Sequence, residues 1–580
     1  MFAAKGNFLE TVKLLILEEV SVRAIAKLDY DSDEMVTEML DNAVDNPPKE
    51  HLDDAIIWAT KRGNKSIVER LLKKNANVNA RKENQFSPLL SAAMKGHADI
   101  VRLLLKWNAD INVKNNKHET PLYWAPCNGF LDIVDALLDN GGLQLEEYIN
   151  VPTKQNYTAL LIAAKEGHES VAKRLMQARA KVNVENDNGE TPLYWACSNG
   201  SDSIAEELLG KGANPFIKTS DKSTPLTKAI KSGITKIVKK LLQSYPNPGV
   251  PTTEIDSALN LASHVGNKDI VQHLLEQNAN IETVDDDGNT SIHQCARQGD
   301  PEIARLLLEK GAKYDAKNLK ESTVFHHAAC GGHIAFVELL SEKSEKRDER
   351  DNMGRTPLSL ASEGGHNVIV DFLTKECGAN KESRDLNGRT PISWAASDGD
   401  GDTVQRLCDL GADIDSKDRC ERTPLSWAAS KGNIASVDAL IKVHAKVECS
   451  DTDGRTPLSW AASGGHENVV HALVKANANL LSLDNDGRNP LSWAVALGNE
   501  NVAMLLLQND SDAQIESQDN DGFTVLHRAV ESGKSDVVGL LLKAGPSFNK
   551  TTKDGETAMD LAIKEEYWDI AEKLSAANPV

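Results

Sequence analysis

Four groups of residues have the types that chemistry uses. His466-Glu467-Asn468-Val469-Val470-His471 sets a glutamate between two histidines, the ingredients of a zinc-protease helix. Zinc on a helix needs its histidines at i and i+4 on one face; here they stand at i and i+5, about 140° apart around the axis. Asp398-Gly399-Asp400-Gly401-Asp402-Thr403 has the carboxylate density of a phosphatase loop or a calcium site, but no strand precedes it and Val404 reads as core. Asp-x-Asp-Gly strings at 451–454, 484–487 and 519–522 suggest calcium loops. An EF-hand loop needs Gly at its sixth position and Glu at its twelfth; these strings end at the glycine and read as turns. The adjacent His326-His327 offers two imidazoles with no third ligand nearby in sequence.

Other catalytic signatures are missing: no Gly-rich phosphate loop, nucleophile elbow, dinucleotide fingerprint or kinase set occurs. The eight cysteines (Cys127, Cys197, Cys295, Cys330, Cys377, Cys408, Cys420, Cys449) are scattered without a CxxC pair. A disulfide framework or zinc site would cluster them, so a reducing setting is expected, cytosolic or nuclear. The sequence therefore predicts no enzyme, no cofactor and no metal.

The elements behind these fragments come from one repeating unit. A Thr-Pro-Leu-like triplet starts at Ser87, Thr120, Thr158, Thr191, Thr224, Ser257, Thr290, Thr323, Thr356, Thr390, Thr423, Thr456, Asn489, Thr524 and Thr557, with a degenerate copy at Asp54. Nearly every step is 33 residues; the exceptions are 38, 34 and 35. Nine residues after each start stands a glycine, until Glu566 breaks the pattern in the last copy. In the copy from Thr456, Pro457 suits a first helical turn, and Leu458, Ala461, Ala462 and Gly465 form one small-residue stripe. Val469, Val470, Leu473 and Val474 give a second helix its own stripe, and Asp486-Gly487 favours a tight hairpin turn. One such unit has too little core to stand alone, so stability must come from stacking.

The string DGRTPLSWAASGGHENVVHALVKANANL resembles the ankyrin repeat, and its LSWAA variant is similar to arrays common in fungal proteins. The resemblance covers residues 52–580 in about sixteen copies. It implies an all-α solenoid of helix-turn-helix units with β-hairpin or turn connections, and a role in binding other proteins. It also implies that His293, His326 and His527 hydrogen-bond to backbone in a neighbouring turn.

Two rows of residues have a functional shape. Arg355, Arg389, Arg422, Arg455 and Arg488 each precede a copy's start, and an aspartate stands four residues ahead of each: Asp351, Asp385, Asp418, Asp451 and Asp484. Trp394, Trp427, Trp460 and Trp493 stand four residues into the first helix, about 150° from the alanine stripe. Either the arginines pair with the aspartates, or they read an acidic segment of a partner protein. Either the tryptophans pack the seam between copies, or they join the arginines as binding anchors. Residues about 350–500 are thus the candidate partner groove.

Three departures interrupt the register, near 139–150 (an extended loop), 244–256 (Pro246, Pro248 and Pro251) and 341–351 (a mixed-charge run). Residues 553–580 read as a polar capping copy, and residues 1–51 as a partial copy followed by an irregular helical segment. That beginning leaves an alternative, in which the chain is the sensing or autoinhibitory array of a larger signalling protein. A net charge of −21 disfavours nucleic acid, and no apolar run is long enough to span a bilayer. A monomer is expected.

Overall fold

The computed structural model describes residues 49–142, 145–244, 252–343, 347–398, 400–509 and 512–577. The expected N-terminal partial copy and the Pro246–Pro251 stretch lie outside the described residues. Two compact units divide the chain, Met1–Gln277 and Asn278–Val580. Each is a stack of helix pairs in which the first helix of a copy packs on the first helix of the next.

The copy from Thr456 shows how the sequence makes one pair. Thr456 holds extended backbone and its Oγ1 accepts the Ser459 N–H at 3.3 Å, which caps the helix Pro457–Gly464. Gly465 ends it at φ +72°, a conformation only glycine adopts freely. Leu458, Ala461 and Ala462 are buried. The second helix, Glu467–Lys475, buries Val469, Val470 and Leu473; Val474, expected in that stripe, is only half-buried.

Connections between copies are turns. Gly487 N–H donates to Asp484 O at 2.9 Å, and Asp484 N–H donates to Arg488 O at 3.0 Å. No strand forms among the described residues; two isolated bridges, Lys317 with Thr323 and Gln518 with Thr524, are all that remains of the expected hairpins. Neighbouring turns are joined tip to tip by single backbone bonds. Leu386 N–H donates to Met353 O at 2.9 Å, Arg419 N–H to Asn387 O at 2.8 Å and Thr452 N–H to Cys420 O at 2.9 Å.

Irregular steps are absorbed in specific places. The one extra residue between Thr356 and Thr390 enters the second helix, where Phe372–Glu376 is a π-turn. Between Thr120 and Thr158, where the register predicts a longer loop, lies a short helix Leu145–Ile149 that buries Tyr148 and Ile149. The helix expected to begin after Ser257 instead spans Thr252–Val265. With no proline at its first position, Ser257 sits mid-helix and its hydroxyl donates to Thr253 O at 2.6 Å.

Candidate functional site

In the second unit the two rows meet as one alternating stack. The Arg389 guanidinium lies 3.6 Å from the Trp394 ring centroid and 4.1 Å from that of Trp427. Arg422 sits 3.8 Å from Trp427 and 4.1 Å from Trp460. Arg455 repeats the arrangement at 3.6 Å from Trp460 and 4.0 Å from Trp493. Arg488 closes one end at 4.1 Å from Trp493, and Arg355 stands more loosely at the other, 5.8 Å from Trp394. Each indole therefore lies between the arginine of its own copy and that of a neighbour, a cation–π geometry that strengthens when water is excluded.

The aspartates act differently from the pairing expected of them. Each indole N–H donates to the carboxylate nine residues earlier: Trp394 to Asp385 at 3.2 Å, Trp427 to Asp418 at 3.0 Å, Trp460 to Asp451 and Trp493 to Asp484 at 2.9 Å. The other carboxylate oxygen accepts turn N–H groups; Asp451 takes those of Asp453 at 3.0 Å and Arg455 at 2.9 Å. Among the described residues, only the end arginines of the row reach a carboxylate in their own copy. Arg355 Nη2 lies 3.0 Å from Asp351 Oδ2, and Arg488 Nε donates to Asp484 Oδ2 at 3.2 Å. Arg355 has this acceptor to itself because Leu360 stands at the tryptophan position and offers no donor. Arg389 and Arg455 donate instead to Ser397 Oγ and Ser463 Oγ, both at 2.7 Å. Arg389 is only 7% exposed, and burial pushes its guanidinium down to about 10, so it remains a cation at neutral pH.

Sequence reasoning missed that the fourth helical position and the turn aspartate form one device. Arg528 takes the tryptophan position in the copy from Thr524; its Nε donates to Asp519 Oδ2 at 2.8 Å, and it lies 4.2 Å from the Phe523 ring. Arginine and aromatic have exchanged places there. In the first unit Trp124 and Trp195 occupy the same position, but Asn115 and Asn186 replace the aspartates. Those amides donate to Glu119 and Glu190 at 2.6 Å, and both indole N–H groups are buried without an acceptor. Glutamate also stands where the stack needs arginine, so the full arrangement belongs to residues 355–493. Tryptophan recurring nine residues after aspartate was the signal.

The histidines have structural work. His466 Nε2 lies 3.2 Å from Ser430 O of the preceding copy, and His333 and His366 reach Arg297 O and Cys330 O at 3.0 Å. Asn499 does the same to Ser463 O at 3.0 Å. A Cβ on Gly432 would stand 2.5 Å from His466 Nδ1, so this glycine is needed for close approach as well as for its φ of +76°. His326 Nδ1 lies 3.2 Å from the Thr323 nitrogen, and its Nε2 lies 3.1 Å from Arg355 O in the next turn. Among the described residues no group of three His, Cys, Asp or Glu side chains is placed to hold a metal ion.

No described helix is long and apolar enough to cross a membrane. No curated protein matches the chain. Family models do. The one described as ankyrin repeats (3 copies) matches residues 1–115, 108–186, 160–252, 246–318, 314–385, 369–451 and 425–519. A second, described as ankyrin repeats (many copies), matches residues 506–562. Helix pairs in a 33-residue register and family matches that run nearly end to end agree: the chain belongs to the ankyrin repeat family.

Proposed function

We propose that this chain is a non-catalytic scaffold that binds partner proteins along residues about 350–500, with the arginine and tryptophan rows as its anchors. Ankyrin repeats are in general protein-interaction modules and typically lack catalysis. The observation that carries the reading is the unbroken stack from Arg355 to Arg488 through four half-buried indoles. Rigid aromatic and guanidinium groups held at fixed spacing lose little entropy on binding. Activated nucleophiles are not in view: burial raises the thiols of Cys127, Cys330, Cys377 and Cys449, and lifts Cys408 to about 11, the opposite of a reactive cysteine.

A photo-crosslinking residue tests the face. Lys431 is exposed one helical turn beyond Trp427, and His471 is exposed on a second helix. Partners should be captured from Lys431 and not from His471. Capture from His471 alone would place the binding surface elsewhere.

A further inference from the structure

In the second unit each turn holds two exposed residues at its tip. The first donates its main-chain N–H to the tip before it: Leu319 to Asp287 O at 3.1 Å, Asn352 to Lys320 O at 2.9 Å, Leu386 to Met353 O and Arg419 to Asn387 O. Read along the row, the tips change character in blocks. Asp286-Asp287 comes first, then Leu319-Lys320, Asn352-Met353, Leu386-Asn387 and Arg419-Cys420, then Thr452-Asp453 and Asn485-Asp486. Four neighbouring tips without a carboxylate thus stand between acidic ones. Three of the four carry a large apolar side chain in water: Leu319 is 75% exposed, Met353 47% and Leu386 50%. Single exposed apolar residues are ordinary, but a contiguous set marks a contact surface.

A second feature keeps the same limits. Two residues ahead of each of these four tips stands an exposed cation, Lys317, Arg350, Arg384 or Lys417; at the flanking tips that position is Val284, Ser450 or Leu483. The arginines run from turn to turn, Arg350 donating to Arg384 O and Arg384 to Lys417 O. Lys317 lies 3.1 Å from Glu349 and Lys417 2.9 Å from Glu421, exposed pairs that contribute little and exchange readily. Lys320 and Arg419, at the tips themselves, have side chains with no hydrogen bond or ion pair among the described residues. In a chain of net charge −21, cations and apolar side chains are gathered on one edge. We infer that the strip from Leu319 to Arg419 docks a short segment of a partner protein in which apolar and acidic side chains are interleaved. With copies roughly 8–10 Å apart and extended chain advancing about 3.3 Å per residue, about eight residues cover the four tips. An anionic bilayer also suits a basic and apolar edge, but it would meet Asp286-Asp287 on one side and Asp453 with Asp486 on the other. A short segment ends before them. The strip uses none of the side chains of the arginine and tryptophan rows.

The test uses the full chain and labelled synthetic peptides, read by fluorescence anisotropy. One peptide is four Leu-Asp-Glu triplets; the controls replace both acids with lysine, or leucine with serine. The leucine–acid peptide should bind, more weakly as salt rises, and neither control should. K320E/R419E and L319S/L386S should each weaken binding at least about tenfold. Both variants should melt with the parent chain, because the side chains they change are exposed. T452L/D453K copies the Leu319-Lys320 pair onto the next tip and should tighten binding about threefold, a gain that damaged folding cannot produce. Several results overturn the strip: no binding of the leucine–acid peptide, equal binding of the serine control, or unchanged affinity in either weakening variant. Binding to phosphatidylserine vesicles that exceeds peptide binding and is lost in K320E/R419E overturns the protein partner in favour of a membrane surface. Capture at Lys431 tests the arginine–tryptophan face separately, so either proposal can fail alone.

Discussion

Trp460 donates its indole N–H to Asp451 at 2.9 Å, and the two residues belong to the same copy. Arg455 and Arg422 cover the two faces of that ring from two different copies. Hydrogen bonding thus fixes the indole within a copy, while stacking ties copies together.

Trp460→Phe keeps a ring between the guanidinium groups and removes the donor to a carboxylate. A hydrogen bond to a charged group contributes about 1.5–3 kcal/mol, and a loss of that size should appear in urea denaturation. Asp451→Asn should be coupled to it, since Asn115 and Asn186 leave their indoles unpartnered. Additive effects of the two changes would show that the bond contributes nothing in solution.

Leu360 marks the one copy between Thr356 and Asn489 where the device is incomplete. Leu360→Trp should add an indole that donates to Asp351, as Trp493 and Arg488 already share Asp484. An increase in stability of about 0.5–2 kcal/mol is expected. A lower denaturation midpoint would mean that the seam has no room for it.

Acid should loosen the copies from Thr290 and Thr323. Burial pushes His293 and His327, whose rings stand 5.3 Å apart, down to about 4. Burial lowers His326 as well. In the unfolded chain these groups protonate near 6.5, so between 6.5 and about 4 the unfolded state binds more protons and stability falls with pH. At pH 5 the loss is about 2 kcal/mol for each of His293 and His327. H293S/H327Q, using side chains found at those positions in other copies, should flatten the midpoint difference between pH 7 and pH 5. A slope equal to that of the parent chain would assign the acid sensitivity to other groups.

His466→Ala should lower stability by about 1 kcal/mol through loss of its bond to Ser430 O. His466→Asn should be close to neutral, because Asn499 makes the equivalent bond to Ser463. Equal losses in the two variants would show that ring packing over Gly432 matters more than the hydrogen bond.

Much of the fold was legible because its determinants are local. Thr456, Pro457 and Gly465 declare a helix start, a first turn and a left-handed end within ten residues. The 34-residue step announced an extra residue but not its destination, since a π-turn at Phe372–Glu376 and a longer loop fit the same spacing. The helix from Thr252 was misplaced because register was trusted where the proline signal was missing. At the candidate site, both rows and their aspartates were visible, but as parallel ladders. Their interleaving depends on the distance between copies, which no single copy encodes.

The recurring tip-to-tip bonds, such as Leu386 N–H to Met353 O, are made by main chain, with the Asn485 and Asn520 side chains adding a bond at two of the tips. Any residue type that tolerates the turn can sit there, so the outer edge of the array is held in place without constraining its side-chain alphabet. A 33-residue cassette cut at these turns carries its own Asp–Trp clasp and an arginine ready to stack on the tryptophan of whatever copy follows it. Copies can accordingly be duplicated, deleted or shuffled between Thr356 and Asn489 with their joints intact, and the variable tips are free to diverge afterwards.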